Sequence, residues 1–385
     1  TALGRIALAS FTTGGSNTAI GSQAGNSVTT GIQNVFLGAN AGYNATGSGA
    51  YSVAIGYNAG YQNNVGSSVY VGRYAGYSGT GHIGGGNIGI GYHALFTNSS
   101  TAQTGMKWNI AIGRAAMGVA GSSHGSAHSN VAIGYYALHR VESGSRNVVI
   151  GGQEGGGDGG AGENLKNGGD NVFVGSKAGQ GIDSGNIHSD KNVFIGAIAG
   201  GNQNGVDGNV GIGYKALVFP RGNYSVAVGY EAGDHATGSY NTFLGAQAGK
   251  GGTTSAPFSS GEKNVAIGYQ AFDAFTTGYR NTVLGYKAGT SVNSGYNNVL
   301  IGYEGGEGVT SGYENVVIGA NPSQANLQQS TFIGFNAGKE GTANLAVGIG
   351  YRALGTGTLT TDANGAVAVG YQALTALTSG QYNLA

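Results

Sequence analysis

The chain has 385 residues, with 17 Lys and Arg against 17 Asp and Glu, and 80 glycines against three prolines. That balance excludes a globally basic nucleic-acid binder and an acidic solvating tail. The lack of cysteine excludes disulfides and thiolate metal sites. Glycine at about a fifth of residues, without a G-X-Y triplet, excludes collagen, and no apolar run approaches the roughly 18 residues of a membrane helix.

The order comes from repetition. A unit of the form Asn-Val-Ala-Ile-Gly-Tyr recurs from end to end. Asn17-Thr18-Ala19-Ile20-Gly21 is an early copy, and Asn34-Val35-Phe36-Leu37-Gly38 follows. Asn130-Val131-Ala132-Ile133-Gly134 and Asn147-Val148-Val149-Ile150-Gly151 sit mid-chain, and Asn264-Val265-Ala266-Ile267-Gly268 and Asn281-Thr282-Val283-Leu284-Gly285 lie further on. About twenty-one copies run from Gly4 to Gly370, spaced mostly by about 16 to 17 residues with excursions to about 24. Fixed-period self-similarity marks a solenoid, so 1–385 is expected to be one repeat array. Both ends fall inside a copy, so the array is expected to be a segment of a longer protein.

Within a copy the pattern has period two, as in a strand. The residue before the glycine is Ile, Leu or Val, and two positions earlier sits Val, Ile or Thr; these two are expected to share one apolar face. The residue between them ranges from Gly89 and Ala132 to Phe36 and Phe173. It faces the other way, toward a second packing surface that sister chains would cover. Gly21, Gly134 and Gly268 are expected to end the strand at a bend. A second segment such as Thr276-Thr277-Gly278-Tyr279-Arg280 leads back to the next Asn. One coil then holds two short strands and two turns. Coils stacked in parallel place Asn17, Asn34, Asn130, Asn147, Asn264 and Asn281 in a hydrogen-bonded ladder, and Ile20, Ile133 and Ile267 in an apolar row. At about 4.8 Å per coil the array spans roughly 100 Å.

The Ser/Asn-Val-Ala-Ile-Gly unit, clearest in Ser52-Val53-Ala54-Ile55-Gly56 and Ser225-Val226-Ala227-Val228-Gly229, resembles the YadA-like head repeats of trimeric autotransporter adhesins. Similar repeats occur in bacteriophage tail fibres. The resemblance implies a parallel β-roll, a homotrimer and an extracellular or virion location. The coil here is longer than the family's short repeat and usually leads with Asn.

Other motifs carry less. Gly348-Ile349-Gly350 and Gly211-Ile212-Gly213 match a loose dinucleotide fingerprint, but β-repeats follow instead of the helix that motif needs. Gly155 to Glu163 is a single imperfect copy of a Ca²⁺-binding nonapeptide, which works only in tandem. His124 and His128, near His139, lie in a Ser/Gly-rich stretch without a carboxylate. Asp158, Asp170, Asp183 and Asp190 are scattered, and no catalytic set stands out. The tyrosines after the motif glycine either stack on sugars or cover the roll through cross-coil pairs, and the second reading is the favoured one. Trp108 reads as an exposed aromatic in an inserted loop. Asn44-Ala45-Thr46, Asn98-Ser99-Ser100 and Asn223-Tyr224-Ser225 are glycosylation sequons.

The expected protein is an all-β parallel solenoid, a homotrimeric structural or adhesive fibre and not an enzyme, with no cofactor, no metal, no nucleic acid and no membrane insertion. A cell-surface glycan or protein receptor would meet loops near 96–108, 118–129, 152–170, 180–191 and 250–263, with Trp108, His124 and His128 as contact candidates. The alternative is a monomeric β-helix enzyme or Ca²⁺-binding solenoid.

Overall fold

The computed structural model describes residues 1–45, 49–62, 66–79, 83–97, 105–118, 126–152, 159–181, 188–252, 258–322, 326–339, 343–355, 360 and 363–385. Among these there is no α-helix. The chain forms a parallel β-solenoid that divides into two compact units, Thr1–Gly205 and Val206–Ala385. The first holds eleven strands, from Ala2–Leu3 to Val193–Ile195, and the second ten, from Val210–Ile212 to Val367–Val369. Within each unit every strand pairs in parallel with the strand of the next copy, and equivalent residues face each other. Val131, Ala132 and Ile133 lie over Val148, Val149 and Ile150. Val265, Ala266 and Ile267 lie over Thr282, Val283 and Leu284.

Each coil, or rung, has one strand of three residues, or two in the first, rather than two strands. Among the described residues the return segment pairs only through isolated bridges, such as Tyr296 with Tyr313 and His128 with Ser145. The reason is backbone conformation. The residue before each ladder Asn takes a left-handed φ, as in Lys263 at 59° and Arg280 at 54°, and cannot continue an extended run. The turn after the glycine contains another, as in Gln270 at 52° and Lys287 at 50°. Such residues cost about 1 kcal/mol each. Hydrogen bonds between rungs offset that cost. Lys287 N–H donates to Tyr269 O at 2.9 Å on one side, and Gly289 N–H to Gly305 O at 2.9 Å on the other.

The motif glycines are fixed by close approach. Gly21 and Gly134 have φ of 137° and 131°. A Cβ on either would lie 2.5 Å and 2.6 Å from the carbonyl oxygen of Gly38 and Gly151 in the next rung. Only glycine allows both the angle and the contact.

The strand faces are the reverse of the expected ones. The variable middle residue points into the coil: Ala19, Phe36, Ala132, Phe194, Ala266 and Phe332 are all at most 2% exposed. The uniform Val, Ile and Leu on either side point out. Ile20 is 41% exposed and Leu284 41%. Variation at the middle position reflects a volume shared with the turn. Where the strand centre is Gly or Ala, the fourth residue after the motif glycine is often large: Gly89 goes with Leu95, Ala111 with Met117, Ala266 with Phe272 and Gly348 with Leu354. Where the centre is large, that turn position is glycine, as in Phe173 with Gly179 and Leu300 with Gly306. A Cβ there would meet the Phe173 ring at 2.5 Å and the Leu300 side chain at 2.6 Å. An Ala centre paired with a turn glycine, such as Ala54 with Gly60, sits between Phe36 and Tyr70 of the adjacent rungs. The return segment closes the interior with buried Val28, Val141, Phe275, Val292 and Val309.

This complementarity predicts a double-mutant cycle. Phe194→Ala should destabilise by about 3 kcal/mol through its cavity, and Gly200→Leu by about 2 kcal/mol or more through overpacking. Because one large side chain replaces the other, the double variant should recover at least about 2 kcal/mol of that sum in urea unfolding. Simple additivity would contradict the shared volume.

Candidate functional site

The ladder residues sit inside the coil wall. Asn17, Asn34, Asn130, Asn147, Asn264 and Asn281 are all 5% exposed or less. Their bonding repeats. Asn264 Oδ1 accepts from Asn281 N–H at 3.0 Å and from Asn281 Nδ2 at 3.1 Å. Asn281 Nδ2 also donates to Gly295 O at 2.8 Å. Asn281 Oδ1 in turn accepts from the Asn298 backbone and side chain at 3.1 Å and 2.9 Å. The same links join Asn17 to Asn34 and Asn130 to Asn147. An amide satisfies this column because it has two donors and an acceptor with two lone pairs. Serine does half the work: Ser225 Oγ accepts from Asn241 N–H at 3.1 Å. Aspartate would stack buried charges without donors. Asn281→Ala leaves the Asn298 N–H and amide without their acceptor and should cost about 2 to 3 kcal/mol, with Asn281→Ser closer to 1 kcal/mol, read by chemical denaturation. Equal, near-zero effects would show that the ladder does not hold the rungs.

An exposed aliphatic face runs along the strands of both units. In every strand from Thr18–Ile20 to Val367–Val369 the two outward positions carry Val, Ile, Leu or Thr, and never Gly, Ala or a charge. Ile133 and Ile267 lie in this outward row with Ile20, not in the interior. With about a third of each side chain exposed, a rung presents about 100 Å² and either unit on the order of 1,000 Å². Monomers rarely leave more than a few hundred Å² of contiguous apolar surface open.

Aromatic columns run along the turns. Tyr269, Tyr286 and Tyr303 stack at 5.5 Å and 5.3 Å between centroids. Tyr279, Tyr296 and Tyr313 stack at 5.0 Å with planes within 4°. These rings spend their faces on one another, at about 0.5 to 1.5 kcal/mol per pair. Tyr70 is the exception that points inward. Burial pushes its phenol up to about 12, and its hydroxyl faces Ser68 and Asn87 without a well-formed hydrogen bond.

Trp108 is 65% exposed, but it stands on the scaffold and not in an insertion. It directly precedes Asn109 of the ladder and packs over Gly86 of the preceding rung, where a Cβ would meet its ring at 2.6 Å. His128 bridges to Lys107 and Ser145, and its Nδ1 lies 3.3 Å from Ser129 Oγ. His124 lies outside the described residues, as do Asp158, Asp183, Gly155 to Gly157, Thr46 and the Asn98 sequon. Much of the five expected recognition loops (98–104, 119–125, 153–158, 182–187 and 253–257) lies outside them too.

Three other carboxylates bond within the scaffold. Asp170 takes a two-pronged bond from Arg146, at 2.6 Å and 2.9 Å, which keeps its carboxyl below the usual range. Asp190 Oδ1 accepts from Gly169 N–H at 2.6 Å. Glu163, at the end of the nonapeptide-like stretch, is fully buried and turns back to Gly160 N–H at 3.2 Å. Among the described residues no group of three or more His, Cys, Asp or Glu is arranged to hold a metal. Gly348 of the dinucleotide-like motif is an interior position against Phe332, and a turn, not a helix, follows it. No protein-family model matches the chain, and no curated protein is similar to it.

Proposed function

We propose that the chain is a structural and adhesive fibre segment, built as a homotrimer on the outside of a cell or virion. The observation that carries this reading is the aliphatic face of each unit. Its area per chain reaches the roughly 800 Å² per partner of a standard stable interface. Its two rows rise by one rung at a time, so another copy of the chain matches them rung for rung. Three copies close such a face around a single axis, which leaves no flat apolar edge for further growth. The resemblance of the repeats to adhesin heads and phage tail fibres supports the same reading. In this reading the stack gives stiffness, and three chains give avidity to weak contacts made elsewhere on the surface.

Native mass measurement should give three chains per particle. Ile267→Asp, Leu284→Asp and Ile301→Asp together place charges on the outward face without touching the interior. That variant should keep its β-sheet circular dichroism and fall to one chain. A wild-type chain that runs as a folded monomer at micromolar concentration would overturn the proposal.

A further inference from the structure

Charge is not evenly spread along this neutral chain. Every Asp and Glu lies at Glu142 or beyond, so the first 141 residues carry Arg5, Arg73, Lys107, Arg114 and Arg140 and no carboxylate side chain. Two of these cations stand in one column. The residues directly after the motif glycines of five successive rungs are Tyr57, Arg73, Tyr92, Arg114 and Tyr135. The Arg73 guanidinium carbon lies 6.0 Å from the Tyr57 ring centroid and 5.8 Å from that of Tyr92. That of Arg114 lies 5.7 Å from Tyr92 and 5.4 Å from Tyr135. Both arginines are exposed.

The alternation has a chemical consequence. A guanidinium held near aromatic rings, as Arg73 also is at 5.2 Å from Tyr74, still carries N–H donors for an acceptor. Its usual partner, a protein carboxylate, is missing from this part of the chain. His93 stacks on Tyr92 at 4.0 Å. Burial, then Arg73 and Arg114, push its imidazole below the ordinary range. The corresponding column in the second unit is different: Tyr269, Tyr286 and Tyr303 stack on one another, and Glu304 lies beside Tyr303.

We propose that the Tyr57–Arg73–Tyr92–Arg114–Tyr135 column binds a linear acidic polysaccharide, with carboxylates on the two guanidinium groups and sugar hydroxyls on the tyrosine edges. Two rungs separate the cations, about 9.6 Å along the stack, so the acidic groups of a linear chain laid along the column can meet them in succession. Bidentate N–H donation suits a planar carboxylate. Single-stranded nucleic acid fits less well, because base stacking needs free ring faces and every ring of this column has a guanidinium carbon within 6.0 Å. The site rests on the adhesive half of the function proposed above and not on the trimer.

The test is binding of polygalacturonate to the purified chain by biolayer interferometry, with neutral dextran and oligo-dT as comparison probes. Polygalacturonate should bind with an affinity that falls as salt rises, dextran should not bind, and oligo-dT should bind at least several-fold more weakly. Arg73→Gln with Arg114→Gln should lose at least tenfold in affinity, while Lys287→Gln in the second unit should change nothing. If the Gln pair does not fold, Arg73→Lys with Arg114→Lys keeps the charge and loses the planar fork; it should still lose several-fold. Unchanged affinity in either pair, equal binding of dextran or oligo-dT, or no binding of polygalacturonate overturns the proposal. The native mass reads assembly separately, so a trimer that ignores polyuronate would sink this site and leave the fibre reading standing.

Discussion

The interior of each rung is about one side chain thick, and that thickness governs the rest. Parallel rungs hydrogen-bond along the stack through strand, turn and ladder alike, so their backbones must superpose. A rung whose interior swelled or shrank would break the bonds of its neighbours. Many rungs meet this condition with a large side chain from the strand centre or from the turn and glycine or alanine at the other position; where both are small, as at Ala54 and Gly60, a large side chain of an adjacent rung such as Tyr70 reaches in. The glycine column, the asparagine ladder and the left-handed turn residues are what a fixed backbone needs at its closest contacts.

A fixed backbone also explains the distribution of sequence identity. Interior residues vary because they need only fill a volume jointly. The outward positions vary far less, from Val, Ile and Leu to Thr. A solvated strand face would alternate with polar residues, and this one does not. The tyrosine and arginine columns lie on the turns. There, stacking stabilises successive rungs, and a change of one residue type alters the chemistry offered to solvent without disturbing the stack.

The fold was largely legible. Repetition of Asn-x-x-Ile-Gly with period-two apolar positions is a strong signal, and it specified parallel stacking and the ladder. The orientation of the strand was not legible from uniformity alone: the uniform Val, Ile and Leu face out and the variable centre faces in. Pairing Phe36 with Gly42, and Gly89 with Leu95, reveals it. That covariation stands in the sequence, in the alternating Ala-Gly and Ala-Leu ends of the repeats. The left-handed turn residues were not legible: Gln270, Lys263 and Arg280 carry no mark of positive φ, which the stack imposes. Trp108 directly precedes Asn109, and that position, not the insertion before it, puts it on the scaffold. The Tyr–Arg column was visible only once successive glycines were known to superpose, although the lack of acidic residues before Glu142 was open to inspection.

The most direct test uses the absence of native cysteine. Single cysteines at Val265, Ala266 and Ile267 report the two faces of one strand. With a small thiol reagent under native conditions, the Ala266→Cys thiol should be protected until the solenoid unfolds. The Val265→Cys and Ile267→Cys thiols should label readily, or cross-link to sister chains when assembled. Rapid labelling at position 266 with protection and no cross-linking at 265 and 267 would contradict the account.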